Sequence, residues 1–183
     1  MDHNFRTDQI IIDDAKADDV FGIRAVQKNT WFITYPSDEF GITLADIESR
    51  FREDDTLAGQ QAIAAKKERF LDPTQHTWVA RHDSQIVGFV WAQRESDINK
   101  IQALYVLPDY HGLGLGRQLI TLALQWLGSA KDVSVNVAAY NQKAIGFYER
   151  MGFVKTNKAN VCDPASRLPS GKIIPEIEMV KKA

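Results

Sequence analysis

The sequence predicts an α+β fold, or equivalently a mixed-sheet α/β fold, and two features of element order carry the prediction. Helical periodicity dominates up to residue 70, and after Pro73 the chain becomes mostly strand, as in an antiparallel meander. Between Ile101 and Val137 a strand runs through a glycine-rich turn into a helix and then another strand, a unit whose parallel crossover would be right-handed. A length of 183 residues fits one domain with a substantial core, taken here as residues 1–183.

Gln9-Ile10-Ile11-Ile12-Asp13 is a short β-branched run and reads as a first strand. Val20, Ile23 and Val26 then fall at helical spacing behind Asp18 and Asp19, giving a helix over Asp18 to Thr30. The aromatics Trp31, Phe32 and Tyr35 precede Pro36, and this segment up to Phe40 reads as a loop. Thr43-Leu44-Ala45-Asp46 resembles a capping box and starts a second helix through Ile47, Arg50 and Phe51. A third, rich in Ala, Gln and Lys, spans Thr56 to Phe70 and stops before Pro73.

Thr77 to Arg81 and Ile86 to Ala92 flank the polar turn His82-Asp83-Ser84-Gln85 as a β-hairpin. Ile101 to Val106 is a further strand, ended by Pro108. The stripe Leu119, Leu122 or Ala123, and Trp126 marks a helix over Gly116 to Leu127, and Gly128 ends it. Val133 to Val137 alternates as a half-buried strand. Ala144, Phe147, Tyr148 and Met151 form the next helix face, stopped at Gly152. Phe153 to Thr156 and Ile173 to Val180 read as closing strands, separated by the long polar loop Asn157 to Lys172.

Composition narrows the function. Hydrophobic residues at 44% and charged residues at 25% match ordinary globular proteins and argue against disorder. A formal charge of −2 offers no general attraction for nucleic acid or an anionic membrane. A spanning helix needs about 20 mostly apolar residues, and the run Leu119 to Leu127 is broken by Thr121 and Gln125. Met1 to Arg6 lacks the order of a signal peptide and Cys162 has no partner cysteine, so a reducing, cytoplasmic location is expected. Cys162 sits in the turn-like Asn160-Val161-Cys162-Asp163-Pro164 with no histidine nearby, which favours an inert thiol over a nucleophile. No metal site is expected.

Leu104-Tyr105-Val106-Leu107-Pro108-Asp109-Tyr110-His111-Gly112-Leu113-Gly114-Leu115-Gly116-Arg117 is the most informative run. Glycines without Cβ let an anion approach the backbone, while the first helical N–H groups and the dipole point at it. Arg117 adds a charge. The third glycine of a dinucleotide fingerprint is missing, since Arg117 and Leu119 stand where it would fall, and no Gly-Lys-Ser/Thr follows for a Walker A loop. Further on, Asn141 begins Asn141-Gln142-Lys143-Ala144-Ile145-Gly146-Phe147-Tyr148-Glu149-Arg150-Met151-Gly152-Phe153 as a helix cap, and Tyr148 follows two turns later.

Together these runs resemble the GNAT superfamily of acetyl-CoA-dependent N-acetyltransferases, whose patterns Gln/Arg-x-x-Gly-x-Gly/Ala and Asn-(x)6-Tyr-(x)3-Gly-Phe occur here in order across Ile101 to Phe153. His111 departs from the first pattern at its opening position. The resemblance implies a mostly antiparallel mixed sheet with a splayed parallel strand pair, flanked by helices. Its cofactor-binding core would span about 77–156, acceptor-side helices about 18–70 and a closing strand about 173–180. Acetyl-CoA is the implied cofactor. Its pyrophosphate would sit on the N–H groups of Leu113, Gly114, Leu115, Gly116 and Arg117, with His111 and Gly112 also in the cofactor-binding turn, its pantetheine arm would run beside Leu104, Tyr105 and Val106, and Asn141 would hold the pantetheine or phosphate end.

By the same resemblance Tyr148 would protonate the leaving thiolate, a role that suits a phenol with an ordinary pKa of about 10. The residue alone also reads as an amphipathic side chain at a helix–sheet junction. Many family members carry a glutamate on the strand before the glycine turn, where Ala103 stands here. Water, His111, Glu39, Asp46 or Glu48 are the candidates for the base, while His76 and His82 read as exposed turn residues.

The run Val26 to Pro36 resembles the Trp-x-x-x-Tyr segment of the spermidine/spermine acetyltransferase branch. Trp31 and Tyr35 then become acceptor-binding candidates, with Asp38, Glu39 and Asp46 to neutralise ammonium groups, although the same aromatics also read as core. The expected activity is acetyl transfer from acetyl-CoA to a primary amine, a small polyamine first and a protein N-terminal amine second. A non-catalytic acyl-CoA sensor is the alternative that Ala103 leaves open. A monomer or homodimer is expected.

Overall fold

The computed structural model describes residues 9–158 and 166–183. Cys162 and the N-terminal Met1 to Arg6 lie outside them. Seven strands form one sheet: β1 (Ile10–Asp14), β2 (Gln75–His82), β3 (Gln85–Gln93), β4 (Asn99–Val106), β5 (Val133–Ala138), β6 (Val154–Lys155) and β7 (Glu176–Lys181). Their spatial order is β1-β2-β3-β4-β5-β7-β6. Every neighbouring pair is antiparallel except β4 and β5, which run parallel. The mixed sheet flanked by helices is the fold class expected from the sequence.

The β4–β5 pair is short. Asn99, Lys100 and Ile101 align with Val133, Ser134 and Val135, and there the pairing stops. Beyond it β4 continues to Val106 held only by β3, and β5 continues to Ala138 held only by β7. The two strands therefore part on the side where β4 enters the glycine-rich turn, leaving the Gln102–Val106 edge without a strand partner toward β5.

Helix α4 (Leu115–Leu127) makes the crossover between them and packs on β2, β3 and β4. Its stripe Leu115, Leu119, Ile120, Ala123 and Leu127 is buried against Trp78, Val87, Val90 and Ile101. Full burial of one such leucine contributes on the order of 2 kcal/mol. On the opposite face α1 (Val20–Thr34) seats Ile23 and Val26 against Val79, Ile86 and Phe89.

The first helix is longer than its sequence suggests. The aromatic segment read as a loop is its last turn, because Trp31 is 5% exposed and continues the buried stripe Val20, Ile23, Val26 and Thr30. Burial of that stripe outweighs the modest helix propensity of the aromatics. Pro36 then ends the helix by removing a donor.

Helices α2 (Leu44–Ser49) and α3 (Leu57–Ala65) start at Thr43 and Thr56, whose hydroxyls accept from the backbone N–H of Asp46 and Gly59. The capping box at Thr43 and Asp46 forms as expected. The third helical stretch tightens into a 3-10 turn at Lys66–Leu71. The last strand starts later than expected: Pro175 keeps Ile173 and Ile174 out of the ladder, and β7 begins at Glu176. His76 and His82 lie in β2 and are half-buried rather than exposed turn residues, since the turn is reduced to Asp83 and Ser84. Helix α5 (Gln142–Arg150) follows β5 and packs Ile145 and Tyr148 into the core beside α4.

Candidate active site

Two features meet where β4 and β5 part. One is the N-terminus of α4. Gly114 is its cap, with φ +79° and no side chain to satisfy the first helical N–H groups, and Gly112 also has φ +84°. A Cβ at Gly112 would meet nothing within 4 Å, so the turn is open to a ligand on that side. The first intrahelical bond is donated by Gln118 to the Gly114 carbonyl, which leaves the N–H groups of Leu115, Gly116 and Arg117 to an outside acceptor. The turn thus fits a pyrophosphate: backbone donors, a helix dipole and space.

His111 holds this turn onto β4. Its Nε2–H donates to the Val106 carbonyl at 2.9 Å, and Lys143 Nζ donates to its Nδ1 at 3.0 Å. A carbonyl only accepts and an ammonium only donates, which gives Nε2 the donor role and Nδ1 the acceptor role. With both nitrogens engaged, His111 is an anchor rather than the free base expected as one possibility. Asn141 is committed too: its Oδ1 caps α5 by accepting from the Ala144 N–H at 3.0 Å, which leaves its amide nitrogen for a ligand.

The second feature is an aromatic cluster under α1. Trp31 Nε1–H donates to the Tyr105 hydroxyl at 2.9 Å, and the Tyr35 and Tyr105 hydroxyls share a hydrogen bond of 3.0 Å. Tyr140 donates to the Tyr35 carbonyl at 2.7 Å. Burial pushes the Tyr35 and Tyr105 phenols above their ordinary range, while Tyr140 is pushed up to about 12 by burial and by the carboxylate of Glu176. Tyr148 approaches from α5, only 6% exposed, between the rings of Phe147 and Phe153 at 5.2 and 5.4 Å. Burial raises its phenol well above the usual value and nearby Tyr105 adds to this, so Tyr148 keeps its proton at neutral pH.

Tyr105, Trp31 and Tyr35 also line a cavity of about 670 Å³ between α1, the Lys66–Leu71 turn and strands β3 and β4. Trp31 and Tyr35 are therefore wall and core at once, which joins the two readings the sequence allowed. Asp38, Glu39, Asp46 and Glu48 do not line it. Asp46 is taken up by Lys172 at 2.8 Å and by the Thr43 cap, and these hold its carboxyl far below the ordinary value. Ala103 does line the cavity, and the one carboxylate among the lining residues is Glu176, at the start of β7. The sequence reading missed it. Its signal was Pro175-Glu176, a carboxylate set at the first position of the closing strand.

No group of three or more metal-ligating side chains occurs among the described residues. No helix among them is long and apolar enough to cross a membrane.

A mixed sheet whose parallel pair opens beside a glycine-rich helix start is the arrangement that the resemblance in the sequence implies. The sequence model of the Acetyltransferase (GNAT) family matches residues 42–153, and the chain belongs to that family. It is 34% identical to the peptidyl-lysine N-acetyltransferase YjaB of Escherichia coli K12 over 98 residues, 53% of this chain and 62% of that protein. It is 33% identical to the mycothiol acetyltransferase of Streptomyces griseus over 105 residues, 55% of this chain and 34% of that protein. The match spans less than two thirds of either relative's length. In fold, the chain is similar to the PaiA N-acetyltransferase of Thermoplasma acidophilum, solved in complex with coenzyme A, with a TM-score of 0.69 and 20% identity over 95% of this chain and 99% of that one.

Proposed function

We propose that the chain is an acetyl-CoA-dependent N-acetyltransferase that moves the acetyl group directly to a primary amine. The observation that carries the proposal is the early end of β4–β5 pairing at Ile101, with Tyr148 buried beside Tyr105 and the open α4 N-terminus at one end of the unpaired edge. That edge offers backbone donors and acceptors to an extended amide chain such as pantetheine. The N–H groups of Leu115 to Arg117 would hold its pyrophosphate, and acetyl-CoA would supply an activated acetyl thioester.

Tyr148 is the proton donor in this reading. Its raised pKa keeps it protonated over the working pH range, and the hydroxyl matters most as negative charge develops on sulfur. Glu176 is our assignment for the base in place of Ala103, because it is the single carboxylate among the cavity's lining residues. It receives the proton lost by the amine, directly or through one water. The proposal keeps the cytoplasmic location expected from the sequence.

The polyamine expectation finds little support in the cavity. The acids named for it do not line the cavity, and Lys66 and Arg69 stand in its wall. A polycation would be repelled there.

The test is acetyl-CoA-dependent thiol release with a panel of amines. Tyr148→Phe should lower kcat by about 100-fold, within the range for removing a general acid, with little change in acetyl-CoA affinity. Glu176→Gln should lower kcat/KM and shift the rising limb of its pH profile upward, and no falling limb should arise from Tyr148 below its ordinary pKa of about 10. Full turnover by Tyr148→Phe would remove that residue from the reaction.

A further inference from the structure

The cavity's charge says more about the acceptor than about the cofactor. Among its lining residues Arg24 is already neutralised: its Nε and Nη2 each bond one carboxylate oxygen of Asp54 at 2.9 Å. Arg69 is not. Its guanidinium stands 4.7 Å over the Trp91 ring and 5.1 Å over Phe70, and its Nε–H is buried with no hydrogen-bond partner among the described residues. Ring stacking fixes the plane of the guanidinium and leaves its donor edge for a second group. Burial lowers Arg69 to about 10, so it is still charged at neutral pH. Lys66 is lowered as well, by burial and then by the neighbouring Arg24 and Arg69. Arg50, stacked 4.4 Å over Trp31, and Lys100 also line the cavity, each engaged with partners of its own.

Gathering like charges around one cavity costs free energy unless something of opposite sign is bound there. Arg69, whose Nε–H has no partner among the described residues, is the place in this wall where an anion is called for. We infer that the acceptor amine carries an anionic group, a carboxylate or a phosphate, which Arg69 holds by its donor edge while the amine faces the aromatic cluster and Glu176. The inference rests on the acetyltransferase reading and names its substrate class. A volume of about 670 Å³ suits a small amino acid or aminoalkyl phosphate.

Binding and turnover test this separately. Calorimetry with glutarate and with inorganic phosphate, in a Gly114→Asp background that blocks the α4 N-terminus, reads the anion site without any reaction. Saturable binding below about 10 mM, weakened about 10-fold or more in Arg69→Gln and partly in Arg69→Lys, is expected. The stronger of the two probes identifies carboxylate or phosphate. Absence of binding, or equal binding by a folded Arg69→Gln variant with an unchanged Tm, overturns the inference. In the wild-type chain 4-aminobutyrate and aminoethyl phosphate should exceed 4-aminobutanamide, ethanolamine and spermidine in kcat/KM by about 10-fold or more, with the advantage lost in Arg69→Gln through KM. Preference for spermidine or the neutral amines would overturn it while leaving the acetyltransferase reading intact. Failure to bind acetyl-CoA would instead sink that reading, whatever the anion titrations show.

Discussion

Replacing Tyr105 by phenylalanine keeps the ring and removes one oxygen, and that oxygen joins α1 to the sheet. It accepts from Trp31 Nε1 at 2.9 Å and shares a bond with Tyr35 at 3.0 Å. Trp31 is 5% exposed, so its indole N–H loses its partner where water has little access. An orphaned buried donor costs about 1–3 kcal/mol. In a chain of this size each kcal/mol moves Tm by about 2–4 °C, so Tyr105→Phe should unfold roughly 2–12 °C below the wild type. Thermal unfolding followed by circular dichroism reads this directly. A double-mutant cycle with Trp31→Phe should return a coupling of about 1–2 kcal/mol, because removing both partners is milder than removing one. A Tm within about 1 °C of wild type, or a coupling near zero, would refute the claim that this bond fixes the cavity wall.

Gly114→Asp should keep the fold, since Asp tolerates positive φ better than most residues and a carboxylate suits a helix N-terminus, yet lower CoA affinity by about 100-fold, roughly 2.7 kcal/mol, through repulsion of the pyrophosphate. Calorimetry with CoA checks it, and unchanged affinity would place the cofactor elsewhere. Asp19 is one of the carboxylates that contribute to acid stability. Burial pushes its carboxyl up, but Arg81, at 2.9 and 2.6 Å, and the Lys16 N–H outweigh burial and hold it below the ordinary value. A depressed folded pKa gives stability that is fully present above the unfolded value of about 3.9 and is lost as pH falls through the folded one. Tm should therefore drop more steeply between about pH 4 and 2 in the wild type than in Asp19→Asn, which lacks this carboxylate.

Much of this fold was legible because local signals and tertiary packing agreed. The capping box at Thr43, the stripe on α4 and the glycine stop at Gly128 all lie where the sequence put them. The last turn of α1 was not legible, because Trp31 and Phe32 owe their helical state to burial against Phe51 rather than to propensity. The proposed cofactor side of the site rests on two runs, each continuous in sequence, and so was open to a sequence reading. The acceptor side was not. Arg69, Lys100 and Glu176, which line the cavity, come from three distant segments that meet only when the sheet assembles, whereas Asp38, Glu39 and Asp46 do not line it. Tyr148 was singled out by its spacing, but its raised pKa depends on burial beside Tyr105 that no spacing reveals.

The most direct measurement is a crystal structure with CoA bound. The account predicts the pyrophosphate on the N–H groups of Leu115 to Arg117, pantetheine along the unpaired Gln102–Val106 edge, and the sulfur within about 3.5 Å of the Tyr148 hydroxyl. A CoA molecule seated away from the β4–β5 opening, or with its sulfur beyond reach of Tyr148, would contradict it.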